Sequence, residues 1–469
     1  MASLCSTLVE TLETQLKVAR DFLVDPRFRD PVVVIWVASF GSALHYPVTF
    51  FYLLEVGATK MDIGWLGFVS SLGSLICGPL YGWLLDKKGS LTAVSLAAAA
   101  CSIGCMIRGM AVDVYGLWVA YFILGIGAEN LWTCVLSHVA RYTDPSQRVN
   151  VISGYLFQVT ALRIAGRAIY SPFNYLLEDG FGMHDTLPRM RVHMGMCTAF
   201  CFFGTARLLG SWHVIQASAA TAEPFAEPKV AGHSGGLTAL VEPMLAKGSE
   251  PQPAKFALFS ALLVFQSLAL TFANTLWPLY LADAFGWGPG GYAPLVFVST
   301  SCGAAAMALA PVLGRAVGQL QVLLATYVVG AIAAVVTFST SGGTTGILLH
   351  AASFVTLLTA LALLEPMLKA NASVSMPERM QGVSFGVLGS IGGVGVMVGS
   401  PLATYLYNLS DKGATGGEDA APGALPMWVV GGILALSGGL LLSAASIAGV
   451  TATPEPRSPA RATSTRSYM

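Results

Sequence analysis

Apolar residues along this chain run in long blocks broken by short polar stretches. A helix that crosses a bilayer takes about 20 predominantly apolar residues. Twelve blocks meet that length: 31–54, 61–85, 90–111, 115–139, 149–176, 192–214, 256–282, 291–313, 319–340, 344–368, 382–407 and 425–449. Between the sixth and seventh lies 215–254, rich in Ala, Pro, Gly, Ser and Glu, which reads as a linker on the cytoplasmic side. The chain thus divides into 1–30, a first unit 31–214, the linker 215–254, a second unit 255–449 and a tail 450–469 read as disordered. The expected fold class is an all-α membrane protein with twelve transmembrane helices in two six-helix bundles. In the first segment Leu4, Leu8, Leu12 and Leu16 recur every four residues. That spacing predicts an amphipathic helix lying on the membrane or on the body of the protein, with a poorly ordered tail as the competing reading. Glu10, Glu13 and Asp21, with no apolar core before a small-residue cleavage site, argue against a secretory signal.

Composition agrees. Of 469 residues 54% are hydrophobic and 11% charged, against about 25% charged in a soluble domain. The net charge is zero, which points to no nucleic-acid partner. With both termini inside, seventeen basic residues fall on inner loops and tails. Only Lys60, Arg189, Arg191 and Lys412 fall outside, and the remaining four of the 25 (Arg108, Arg163, Arg167, Arg207) lie within or at the ends of spans. This is the positive-inside bias of a membrane protein. Of two Asn-x-Ser triplets, Asn371 is then cytoplasmic and Asn408 is the one able to accept a glycan. None of the eight cysteines falls in a CxxC, so they read as small hydrophobes at helix contacts, with neither zinc nor disulfides expected. No HExxH or phosphate loop is present, and the histidines are scattered. An enzyme, a cofactor and a metal are not expected.

The second and third blocks are joined by Gly82-Trp-Leu-Leu-Asp-Lys-Lys-Gly89. Gly82 would let a neighbouring backbone come close, Asp86 would meet a helix N-terminus or a basic partner, Lys87 and Lys88 face the cytoplasm, and Gly89 permits the turn. This Gly-x-x-x-Asp-(Arg/Lys)-x-Gly pattern resembles the signature loop of the major facilitator superfamily, with Ser90 and Leu91 replacing a usual basic pair. Ala310-Pro-Val-Leu-Gly-Arg-Ala-Val-Gly318 resembles a worn second copy holding Arg315. Met376–Gly382 and Gly392–Pro401 are similar to the superfamily as well. The resemblance covers about 31–449. It implies two bundles rocking about a mid-membrane site, with Gly82, Asp86, Lys87, Gly89 and Arg315 in conformational gating. It also implies that the first, fourth, seventh and tenth spans line the cavity. Those spans offer His45 and Tyr46; Glu129, Asn130 and Thr133; Gln266, Asn274 and Trp277; His350 and Ser353. Two departures stand out. Tyr121 replaces an arginine often found four residues before a glycine in the fourth span. Gly166-Arg167 replaces the Gly-Pro of antiporter-type exporters. Phe157-Gln158 with Gly166, and Arg189–Met196, resemble the lysosomal and vacuolar branch, which includes the ceroid-lipofuscinosis type of facilitator. This favours an endomembrane over the plasma membrane.

Charges inside a bilayer are costly and mark function. Arg163 and Arg167 are four residues apart, on one face of the fifth span, with Tyr170 and Asn174 continuing the stripe. Glu129 sits at mid-depth on the fourth. One reading is a structural ion pair between Glu129 and either arginine. The other follows from arithmetic: one carboxylate cannot neutralise two guanidinium groups, and the surplus suits an anionic solute. Arg108 and Arg207 lie near enough to the surfaces to snorkel. His45, His350 and Glu129 are the candidates for proton coupling, against the plainer reading of histidines bonded to backbone carbonyls. Glu365-Pro366 reads as a helix-ending kink. The expected function is a monomeric secondary active transporter of a small anionic solute, working by alternating access in the lipid bilayer. Two rivals stay open: an anion channel on the same fold, and a non-transporting sensor or scaffold that docks through 215–254 and Thr451–Met469.

Overall fold

The computed structural model describes residues 13, 17–143, 148–221, 253–337, 344–374, 381–413 and 424–447. These residues form helices and turns, with no strand among them. Twelve helices are long: α1 Pro26–Glu55, α2 Lys60–Lys87, α3 Ser90–Met110, α4 from Val114 to Arg141, α5 Arg148–Tyr175, α6 Thr186–Gly210, α7 Pro253–Phe285, α8 Pro289–Ala316, α9 Gln319–Val336, α10 Thr344–Val374, α11 Gln381–Gly413 and α12 Ala424–Ile447. Among the described residues, nine are long and apolar enough to cross a membrane; α5, α8 and α11 complete the twelve.

The helix ends follow local chemistry. Asp25 caps α1 by accepting from the Arg27 amide at 2.9 Å, and Pro26 opens the first turn, where its missing N–H costs nothing. Partial burial works to raise the Asp25 carboxyl. The hydrogen bonds from Arg27 outweigh it and hold the group below its ordinary value. Thr59 and Asp62 form a reciprocal capping box at the start of α2. Gly89 (φ +92°) turns the chain into α3, and Gly318 (φ +106°) stands at the same place before α9. Only glycine adopts this conformation without strain, so the two halves share the device that the sequence repeat suggested.

Three boundaries differ from expectation. The sixth span starts at Thr186 and stops at Gly210, and a short helix, Trp212–Thr221, takes up the beginning of the linker. The rest of the linker, 222–252, lies outside the described residues, as do Leu4–Leu16 and the tail. Residues 17–24 are helical, with Val18 and Phe22 buried and Phe22 packed edge-on to Phe28 at 5.6 Å. The helix through Glu365 does not end there; it continues to Val374. Asn408 lies half-buried within α11, and Asn371 lies within α10 and donates to the Met367 carbonyl at 2.8 Å.

Helices α1 to α6 pack mainly on one another, as do α7 to α12, and α2 with α11 and α5 with α8 join the two sets. In lipid no hydrophobic drive separates helix from solvent, so close packing of small residues holds helices together. A Cβ on Gly166 would lie 2.6 Å from the Phe40 carbonyl oxygen, so α5 rests directly on α1.

Arg207 does not snorkel freely. Its Nε donates to Asp30 at 2.7 Å, and Asp30, 1% exposed, also takes Arg29 at 3.3 Å. This ties α6 to the start of α1. Replacing Asp30 with alanine should cost about 1–3 kcal/mol, because it removes the charge-assisted hydrogen bonds to both Arg29 and Arg207. The check is a lower thermal midpoint in detergent, with Arg207→Ala alone costing less because its side chain is 41% exposed.

Candidate transport site

Two groups of side chains lie where the two helix sets face each other. The first surrounds Arg167. Its guanidinium sits 4.7 Å from the centre of the Tyr46 ring on α1, and Tyr46 is close enough to act electrostatically on Tyr292 of α8, in the other set. Arg167 has no carboxylate within salt-bridge distance, and its buried Nε has no hydrogen-bond partner among the described residues. The Tyr46 face offers the cation a quadrupole, worth about 2 kcal/mol when desolvated, which offsets only part of what burial costs.

The second group lies nearer the Lys87 end. Glu129 is exposed although it sits in the middle of α4, and so are Thr133 and Arg163. Exposure at mid-helix, combined with electrostatic coupling across to Glu365 and Lys369 of α10, means that these groups border open space between the two sets. Arg163 stands over the Trp132 ring at 5.5 Å. The expected Glu129–Arg163 ion pair is not formed: Arg163 acts on Glu129 through space, and no carboxylate lies within 4.0 Å of it among the described residues. Glu365 does not end a helix at a kink. It is instead paired with Lys369 at 2.5 Å, one turn along, and faces Arg163.

Glu129 ends a π-helical turn, Gly125–Glu129, that widens α4. The extra residue per turn frees carbonyls, and Asn130 satisfies them: its Nδ2 donates to Ile126 at 3.0 Å and Gly125 at 3.3 Å. Such bulges occur often at functional positions because they re-aim neighbouring side chains. Asn130 therefore serves the backbone and is buried, not presented to a solute.

Several other predicted residues are also occupied elsewhere. His45 is buried; its Nδ1 meets the Gly41 carbonyl at 2.9 Å and its Nε2 takes Arg108 at 2.7 Å. Arg108 does not reach the surface but is buried at 7% exposure beside His45 and Tyr121. His350 bonds the Thr337 carbonyl and stacks on Trp277 at 4.2 Å, within an aromatic cluster with Phe354. Gln266, 1% exposed, donates to the Leu361 carbonyl at 3.1 Å and so clamps α7 to α10. Asn274 is half-buried and unpartnered among the described residues. For the histidines the backbone-bonded reading describes what is seen.

The residues expected in gating divide likewise. Lys87 is exposed at the end of α2 and Gly89 makes the turn, but nothing lies within 4 Å of a Cβ placed on Gly82, so no backbone approaches it there. The side chains of Asp86 and Arg315 lie outside the described residues. A closure that sequence reasoning missed sits at the opposite end. Lys60 of α2 pairs with Asp283 of α7 at 2.6 Å, Tyr407 of α11 donates to the same carboxylate at 2.6 Å, and Lys60 lies over the Tyr407 ring at 5.1 Å. The signal available was a basic residue just after the first loop and an acidic one 223 positions on, which no periodicity connects.

Two sets of six long helices meeting around a charged, mid-depth space define a membrane transport protein. The model of the major facilitator superfamily matches residues 32–400, and the chain belongs to that superfamily. It is an integral membrane protein of a family that transports small molecules. The sialic acid transporter NanX of Escherichia coli (strain K12) is 24% identical over 119 residues, covering 24% of this chain and 29% of NanX. This chain thus matches less than a third of that relative's length. Among solved structures, the POT family transporter PepTSo has a TM-score of 0.65 at 13% identity, covering 91% of this chain and 99% of its own. The nucleoside transporter NupG has 0.64 at 10% identity, covering 90% and 99%. A bacterial homologue of the human lysosomal transporter Spinster, in an inward-facing, unoccupied conformation, has 0.62 at 16%, covering 90% and 98%. At these identities the likeness is one of fold.

Proposed function

We propose that this protein is a secondary transporter of a small anionic solute, held between Arg167 and Arg163 and moved by alternating access. The observation that carries it is the charge balance of the site. Arg163, Arg167 and Lys369 face Glu129 and Glu365, three cations to two carboxylates. Lys369 and Glu365 neutralise each other at 2.5 Å, and Arg167 has no carboxylate within salt-bridge distance among the described residues. An anion that enters gains a half-buried guanidinium whose Nε is already out of water, an arrangement that binds carboxylate or phosphate strongly. A relative whose name gives an acid as cargo agrees with this sign. The Lys60–Asp283–Tyr407 closure supports a carrier over an open pore. With the Lys87 end in the cytoplasm, the state described is open inward.

In this reading Glu129 is the group that takes a proton, since neither histidine faces the space. The twelve helices form two bundles of six that work as one monomer. An endomembrane location rests on the resemblance around Phe157-Gln158 and Arg189–Met196. The test is a thermal-shift screen of the purified protein against carboxylates, phosphates and matched neutral solutes at two pH values. Stabilisation is expected from anions alone, and more strongly at the lower pH, where a protonated Glu129 no longer competes for Arg163. Stabilisation by neutral solutes with none by anions would overturn the reading.

A further inference from the structure

We propose that Cys101, Cys105, Cys197 and Cys201 form a buried site for a soft, thiophilic d10 cation, Cu(I) or Zn(II), inside the first helix set and apart from the transport site. The four residues are two i, i+4 pairs, one on α3 and one on α6, and such pairs share a helix face. The faces meet. Cys105 Sγ lies 3.9 Å from Cys197 Sγ and 3.9 Å from Cys201 Sγ, and the sulfurs of Cys101, Cys105 and Cys201 all lie within 4.8 Å of one another. A metal–thiolate bond of about 2.3 Å requires sulfurs about 3.8 Å apart in a tetrahedron and about 4.0 Å in a trigonal plane. Cys101, Cys105 and Cys201 therefore need only small rotamer changes to hold an ion, and Cys197, in contact with Cys105 but outside that group of three, must turn inward to become a fourth ligand. All four residues are buried and free of disulfides. Sulfur-only ligand sets select Cu(I) and Zn(II) over harder ions.

Charge gives a second, independent argument. Arg108 is one turn beyond Cys105, buried, and in the field of Cys105, Cys197 and Cys201. Its guanidinium has His45 as a hydrogen-bond partner, no carboxylate within salt-bridge distance among the described residues, and a buried Nε that bonds nothing. A lone cation in an apolar interior is costly. Cu(I) on two thiolates, or Zn(II) on the three thiolates of Cys101, Cys105 and Cys201, carries a net charge of −1 and balances Arg108. Binding releases two protons in the first case and three in the second, to the surrounding water. Because the site forms only as α3 packs on α6, loading accompanies folding.

The experiment uses the full chain, expressed in cells supplied with copper or zinc, purified under reducing conditions and washed with chelator. Metal content and X-ray absorption are measured. The expected result is about one retained ion per chain in an all-sulfur shell near 2.3 Å, lost in Cys105→Ala and kept in Cys134→Ala, a buried cysteine outside the cluster. Equal competition between the two ions names the occupant. If Cys105→Ala does not fold, the wild-type absorption spectrum decides alone. No retained ion in either arm, a nitrogen or oxygen shell, a Cys105→Ala protein as metal-rich as wild type, or a native disulfide joining α3 to α6 would each overturn the proposal.

Discussion

Arg167→Ala should abolish solute uptake while leaving the protein folded, and should raise its thermal stability. Truncating one partner of a desolvated charge interaction costs about 2–5 kcal/mol, or roughly 30- to 5,000-fold in binding. Among the described residues Arg167 has a tyrosine face in place of a carboxylate and an unbonded Nε. For the same reason its loss relieves the unliganded state, since an uncompensated buried charge is destabilising. A merely structural arginine would behave the other way: removing it would lower stability and leave affinity intact. Arg167→Lys keeps the charge but loses the flat stacking on Tyr46 and the forked donor geometry, so uptake should recover only in part. Uptake into proteoliposomes and thermal unfolding of the same preparations check both arms. Wild-type uptake by both Arg163→Ala and Arg167→Ala would end this site assignment.

The second large effect concerns the closure between the helix sets. A Cβ on Gly64 would lie 2.8 Å from the Ser400 carbonyl oxygen and 2.9 Å from Pro401 Cα, and one on Gly67 would lie 2.7 Å from Ser400 Cβ. Real Cβ atoms do not approach backbone this closely, so any side chain at these positions pushes α2 away from α11. Gly64→Leu should therefore hold the Lys60 end apart and stop the cycle, with the protein still assembled. Phe51, 8% exposed and 6.4 Å from Tyr292 across the junction, provides the reporter. A Phe51→Cys protein should resist a membrane-impermeant maleimide and become reactive once Gly64→Leu is added. Unchanged uptake and no new labelling would show that the two sets do not close through α2 and α11. Lys60→Ala should have a smaller effect, because partly exposed ion pairs contribute about 0–1 kcal/mol and Lys60 and Asp283 are 28% and 31% exposed.

Much of the architecture was legible along the chain because one-dimensional pattern carries it. Block length announces a helix that has no water to bond with, the turn at Gly89 announces itself by residue type, and the four-residue spacing of Arg163 and Arg167 puts them on one stripe whatever surrounds them. The π turn before Asn130 was not legible. A one-residue widening leaves no mark on hydropathy, although Asn following a Gly-x-Gly run was the available cue. The cysteine pairs do not match CxxC, the spacing of loops and hairpins. On helices the relevant spacing is i, i+4, which both pairs satisfy.

By itself the sequence determined that there are long apolar helices, which residues share a face, and that charge is stored at mid-depth in excess of local acid. Tertiary structure alone decided what each face meets. It turned His45 onto Arg108 and Gln266 onto the Leu361 carbonyl, brought Glu365 and Lys369 opposite Arg163, and joined Lys60 to Asp283 across 223 residues. The physical reason is that helical periodicity specifies direction around one axis. Which neighbour fills that direction depends on the close packing of small residues between helices far apart in the chain, and in lipid that packing leaves no hydrophobic signature to read.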